Sequence, residues 1–192
     1  MGVARNEIGH SHPDVRIRLQ QIGDAKRFYE ILNHPDFIYF PVAPESIAAE
    51  KRFLRGNKER REKNLSHDYT ILVDDEVVGA IGVKIDQHRG YIGELGYFVD
   101  QAYWGKGIAS RAVALLEAIC FGEMGLLRIE VLMVPANVGS VRVAEKCGYE
   151  LEGMQRGKLR LDGPELEDAC HYAKTRADWE ADLVEKIAES QT

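Results

Sequence analysis

Tyr97-Phe98-Val99-Asp100-Gln101-Ala102-Tyr103-Trp104-Gly105-Lys106-Gly107-Ile108-Ala109 is the stretch on which the fold turns. An apolar strand, Tyr91 to Val99, runs into a short turn with two glycines. The turn opens the most strongly periodic helix of the chain, Gly107 to Met124, with Ile108, Ala112, Leu115, Leu116 and Ile119 on one face. A helix N-terminus presents unpaired N–H groups and the positive end of a dipole. Glycines let the backbone approach a diphosphate closely, and Lys106 adds a cation. Together these features predict a site for a phosphorylated cofactor.

Upstream of this stretch, Val15 to Leu19 alternates apolar and charged residues and reads as a strand. Gly23 to Asn33 places Ala25, Phe28, Ile31 and Leu32 on one helical face. Pro35, Pro41 and Pro44 then break regular structure around the aromatic run Phe37 to Phe40. Glu45 to Asn64 reads as one helix with Ile47, Phe53 and Leu54 as a sparse stripe; its charged end is a solvated face. Strands follow at Asp68 to Val73 and Val77 to Ile85, joined by an Asp-Asp-Glu turn. Gly93 and Gly96, inside the third strand, mark a bulge or a close approach to a ligand. Downstream come a strand at Leu127 to Val134 and a helix from Asn137 to Cys147 stopped by Gly148. Strands at Tyr149 to Lys158 and Asp168 to Thr175 precede a terminal helix, Ala177 to Ser190. Three successive strands predict an antiparallel meander, followed by βαβ crossovers.

The chain has 192 residues, 45% of them hydrophobic, enough for one sizeable core and one domain over residues 1–192, with 1–14 a loose polar leader. The formal net charge of -6 excludes a general nucleic-acid binder and suits a cationic partner. The three cysteines, Cys120, Cys147 and Cys170, are far apart and lack metal-ligand spacing, as expected of thiols in a reducing compartment. His10 and His12 fall in the leader, and His34, His67, His88 and His171 have no metal spacing, so no metal is expected. No apolar run reaches the ~20 residues of a membrane span, and the N-terminus lacks a signal-peptide core. The expected location is the cytoplasm, with no membrane partner.

Nucleotide motifs fit the turn poorly. Gly105-Lys106-Gly107 lacks the spacing of a P-loop. A dinucleotide fingerprint would use Gly105 and Gly107, but Ser110 stands where its third glycine belongs. The downstream acid, Glu130, sits mid-strand instead of at the strand's C-terminal end.

The segment instead resembles the acetyl-CoA pyrophosphate loop of the GNAT superfamily of N-acetyltransferases. That pattern is Arg or Gln, two residues, Gly, one residue, then Gly or Ala. Here Trp104 stands in the first position, Gly107 in the second and Ala109 in the third. Tryptophan departs from the general pattern but is the form associated with the Rim-type branch, which acetylates N-termini of ribosomal proteins. Pro135 to Tyr149 resembles the family's other cofactor-binding region, and Glu150 to Gly153, Asp168 and Tyr172 also suit that branch. The match spans roughly residues 70 to 176.

The resemblance implies a mixed α/β GNAT fold, with a central, largely antiparallel sheet flanked by helices. It implies an enzyme that moves an acetyl group from acetyl-CoA to a primary amine, releasing CoA. An N-terminal α-amine is the favoured acceptor. A polyamine, an amino acid or an antibiotic amine stays open, as does a non-catalytic CoA-binding module. A homodimer is common in the branch. The trace of Trp104, Gly105, Lys106, Gly107, Ile108, Ala109 and Ser110 is expected to hold the pyrophosphate. Phe98 and Val99 resemble the strand end that pairs with the pantetheine arm, and Asn137 resembles the residue reaching the same arm. Arg142, one turn from Lys146, is placed to meet a CoA phosphate.

The chemistry is amine attack on a thioester. An α-amine has an ordinary pKa of about 7.7–8.0, so part of it is neutral at pH 7, and positioning does much of the work. Glu94, a carboxylate within an apolar run just before the loop, is the candidate base; partial burial is expected to raise its pKa. Ser140, in the first turn of a helix capped by Asn137, is the candidate group facing the leaving thiolate. Many relatives use a tyrosine four residues later, where this chain has Ala144.

Overall fold

The computed structural model describes residues 14–40, 43–161 and 163–190. The expected leader therefore lies outside the described residues apart from Asp14, as do Pro41, His10 and His12. Seven strands form one sheet: β1 Val15–Leu19, β2 Ser66–Val73, β3 Glu76–Ile85, β4 Ile92–Val99, β5 Arg128–Met133, β6 Glu150–Leu159 and β7 Glu167–Thr175. Their order is β1-β2-β3-β4-β5-β7-β6, antiparallel everywhere except between β4 and β5. The expected meander is β2-β3-β4, turned at Asp74 and Asp75, both at positive φ, which aspartate tolerates.

Among the described residues six α-helices cover the sheet: α1 Ala25–Leu32, α2 Ile47–Arg55, α3 Asn57–Glu62, α4 Ile108–Glu117, α5 Val138–Lys146 and α6 Arg176–Ser190. The period-2 alternation of β4 separates two cores. Leu95 and Val99 point toward Ile108, Ala112 and Leu116 of α4, and Ala144 of α5 joins them. Phe98 points the other way, into Phe28, Ile31 and Leu32 of α1 and Leu54 of α2. Phe98 takes edge-on contacts from Phe28 and Phe40, each at 5.4 Å between ring centres.

Four local expectations are corrected. The helix read from Glu45 to Asn64 is two, α2 and α3, meeting at Gly56, where the Gly56 N–H turns back to the Phe53 carbonyl in a tighter i to i+3 bond. Phe53 is exposed, and the Arg60 guanidinium sits 4.1 Å above its ring. The helix after the glycine turn stops being α-helical at Glu117 and continues as a π-helical turn, Ala118–Glu123, with Met124 N–H bonded to the Ile119 carbonyl. The wider turn buries Cys120 and Phe121 together, and Leu115, expected in the core, is exposed. Among the described residues no helix is long and apolar enough to cross a membrane.

Candidate functional site

β4 and β5 pair only at Ile92 with Arg128, Gly93 with Ile129 and Glu94 with Glu130. Beyond that point β4 stays with β3 and β5 with β7, and no ladder joins β4 to β5 among the described residues. The two strands part like a V. The gap leads into a cleft of about 1070 Å³ walled by the end of β4, the glycine turn, the first turn of α5 and the loop Pro35–Phe40.

The glycine turn is braced at each step. The Arg27 guanidinium, from α1, pairs with the Asp100 carboxylate, which also accepts the Ala102 N–H at 2.9 Å. Tyr103 donates its hydroxyl to Glu76 at 2.9 Å. Trp104 donates its indole N–H to the Val99 carbonyl at 2.6 Å, and its ring, half exposed, leans on Phe37 at 5.8 Å. Gly105 and Gly107 then take φ of +72° and +75°, the left-handed region that strains any residue with a Cβ. Gly107 is the N-cap of α4 and has no side chain with which to cap it. The first-turn N–H groups at Ile108, Ala109 and Ser110 are thus free to point at the cleft.

Of the residues expected to bind the cofactor, Phe98, Val99, Trp104, Gly105, Gly107, Ile108, Ala109, Ser110, Asn137 and Arg142 all line this cleft. Ile108 is 1% exposed, so its side chain anchors α4 in the core and only its backbone faces a ligand. Lys106 lies outside the wall, with its ammonium 5.2 Å above the Tyr103 ring. Asn137 caps α5, accepting the Ser140 N–H at 3.2 Å. Arg142 and Lys146 are exposed at the rim.

Glu94 and Ser140 also line the cleft, but they approach it from opposite faces of the sheet. Glu94 shares its face of β4 with Phe98, and Ser140 belongs to α5 on the other side. The expected partial burial of Glu94 does not hold. Its side chain is exposed, because residues 94 and 96 of β4 point to a part of the sheet where helix cover stops.

Two residues were missed. Arg27 carried no signal, since its partner Asp100 is far away in sequence. Tyr97 did carry one: it stands two residues before Val99 and so faces α4 and α5. Burial pushes the Tyr97 phenol up to about 12, and only Ser140 beside it offsets that effect.

The acetyltransferase (GNAT) domain model matches residues 14–150. The probable N-acetyltransferase YjcK of Bacillus subtilis is 33% identical over 121 residues, 62% of this chain and 67% of YjcK. The putative ribosomal N-acetyltransferase YdaF of the same organism is 25% identical over 174 residues, covering 88% of this chain and 94% of YdaF. Among solved structures, the ribosomal-protein-S5-alanine acetyltransferase of Vibrio fischeri superposes with a TM-score of 0.77 at 25% identity, over 86% of this chain and 94% of that one. RimJ of Mycobacterium smegmatis, solved with CoA-disulfide, has the same fold, with a TM-score of 0.77 at 24% identity over 84% of this chain and 81% of its own. The chain belongs to the GNAT acetyltransferase family, and the fold expected from its motifs is the fold it has.

Proposed function

We propose that this enzyme transfers the acetyl group of acetyl-CoA to the α-amine of a peptide or protein N-terminus, with both substrates bound together. The observation that carries this is the parting of β4 from β5 directly beside the uncapped start of α4. One element offers an open backbone edge to an extended amide-bearing arm, and the other offers N–H groups to a diphosphate. A cleft of about 1070 Å³ has room for such a ligand and for part of a second substrate.

Acetyl-CoA supplies an activated acyl group as a thioester. Backbone N–H groups from Gly105 to Ser110 hold the pyrophosphate, and Arg142 meets a phosphate at the rim. Phe98 and Val99 align the pantetheine arm through their backbone, with Asn137 on the opposite wall. The amine arrives from the Glu94 face. Its nitrogen bonds to the carbonyl carbon and the C–S bond breaks. The proton lost by nitrogen passes to Glu94, directly or through water, while sulfur keeps the C–S bonding pair, leaves as a thiolate and gains its proton from water. A backbone N–H at the open edge stabilises the carbonyl oxygen as it gains charge. Ser140 presents its hydroxyl to the departing sulfur from the other face. Ala144 leaves no tyrosine at the alternative position on α5.

The likeness to YdaF and to the Vibrio fischeri enzyme favours an N-terminal acceptor. A small amine is the second reading, favoured by the L-amino acid N-acetyltransferase AaaT of Escherichia coli, 27% identical over 106 residues. The test is a thermal-shift titration with acetyl-CoA and NADH, then thiol release with an alanine-N-terminal peptide, an L-amino acid and spermidine. Acetyl-CoA at about 100 times its Kd stabilises the native state by ~2.7 kcal/mol, and NADH does not. No shift at millimolar acetyl-CoA overturns the donor assignment. Thiol release with the amino acid alone overturns the peptide reading.

A further inference from the structure

The Tyr97 hydroxyl is shielded from solvent and has no partner in hydrogen-bond geometry among the described residues. A buried hydroxyl in that condition ordinarily destabilises the fold, so it calls for an account. Tyr97 lies where β4 has already parted from β5, so its ring stands at the floor of the V. It points toward α5, and two side chains bear on its hydroxyl, Ser140 and Cys147. The Ser140 N–H is already committed to the Asn137 cap, which fixes the start of α5 and leaves the Ser140 Oγ able to turn between Tyr97 and the cleft.

From this we infer that Tyr97 is a positioning residue: its hydroxyl donates to the Ser140 Oγ and thereby turns the Ser140 proton toward the departing sulfur. A serine hydroxyl has one proton and two acceptor lone pairs. Unpaired, it spends part of its time donating to Tyr97, with its oxygen lone pairs facing the sulfur, which repels a thiolate. With Tyr97 as donor, the serine proton points into the cleft, and two hydroxyls in series share the thiolate charge. Neither gives up its proton. The high phenol pKa keeps Tyr97 a donor throughout the pH range in which the enzyme works. The inference rests on the placement of Ser140 against the sulfur proposed above.

The test compares wild type, Tyr97→Phe, Ser140→Ala and the double variant, each loaded with CoA at one fixed pH. The ultraviolet absorbance of the bound thiolate is the readout, and it needs no acceptor. Ser140→Ala is expected to lower the bound thiolate-to-thiol ratio about tenfold, and Tyr97→Phe about threefold to tenfold. Adding Tyr97→Phe to Ser140→Ala is expected to change it less than about twofold, because the two act as one unit. CoA affinity should change less than about threefold. If Ser140→Ala moves the ratio and Tyr97→Phe does not, the inference falls and the role of Ser140 stands. Equal Tyr97→Phe effects in both backgrounds overturn it too. If neither variant moves the ratio, the placement of Ser140 against the sulfur is what fails.

Discussion

Trp104 reaches back across the turn to donate its indole N–H to the carbonyl of Val99, 2.6 Å away. The residue that opens the glycine turn is thereby tied to the residue that ends β4. Its N–H is spent on the protein, so it shapes a ligand site without donating to the ligand. Trp104→Phe keeps the ring against Phe37 and removes this one bond, worth about 1 kcal/mol. The expected result is an acetyl-CoA Kd raised about fivefold with kcat within about twofold, measured by calorimetry and steady-state kinetics. A fall in kcat with unchanged Kd would place Trp104 in the chemistry instead.

Glu94 is exposed, so the Glu94→Gln variant should fold as wild type does. In the base role it loses turnover: kcat is expected to fall by about 10²-fold, with acetyl-CoA affinity unchanged. The measurement is the kcat profile against pH. Turnover that matches wild type at every pH removes Glu94 from the mechanism.

The strands and helices were legible because their signals are local. Val15 to Leu19 alternates, α1 carries a clean apolar stripe, and Gly148 at positive φ stops α5. The glycine turn was legible for the same reason, since strand, turn and helix start are contiguous. What sequence did not yield depends on distant partners. The opening between β4 and β5 follows from where their ladder stops, and Glu94 is exposed because helix cover ends over that part of the sheet. Arg27 is part of the site only because α1 packs beside Asp100. The π-helical turn after α4 is likewise set by burial of Cys120 and Phe121, not by the stripe that named the helix.

Asp24 links acid stability to a buried pair. Burial alone would raise its pKa, but hydrogen bonds from Arg18, Thr70 and the Gln21 N–H outweigh this and hold it below the ordinary 3.8. A depressed aspartate stabilises the fold above its unfolded value and loses that contribution as pH falls through the folded one. Asp24→Asn should therefore unfold at lower urea than wild type, by a margin constant from pH 7 down to about 4. The margin should shrink below 3.8. A margin that widens on acidification would reverse the assignment.

Lys174 is the most deeply buried cation described, 2% exposed on β7. Its ammonium donates to the Cys147 carbonyl at 2.7 Å and to Asp182 at 2.6 Å, and lies 3.6 Å from Glu117. It thus joins the C-terminal end of α5, the end of α4 and the terminal helix α6 from inside the core. Glu117 is itself 4% exposed. Removing the cation takes the ammonium away from a carboxylate that stays buried. Lys174→Met, which keeps the stem and deletes the charge, should cost about 3–5 kcal/mol in urea unfolding. Adding Glu117→Gln to it should recover part of that loss, because the buried negative charge that Lys174 faced is then gone. If the pair of substitutions is as unstable as the sum of the two singles, the cost lies in the α5 carbonyl contact and not in the ion pair. Because α5 also carries Ser140, the same two variants report on the site. A displaced α5 C-terminus should lower CoA affinity, whereas a purely local loss of stability should leave it at the wild-type value below the unfolding transition.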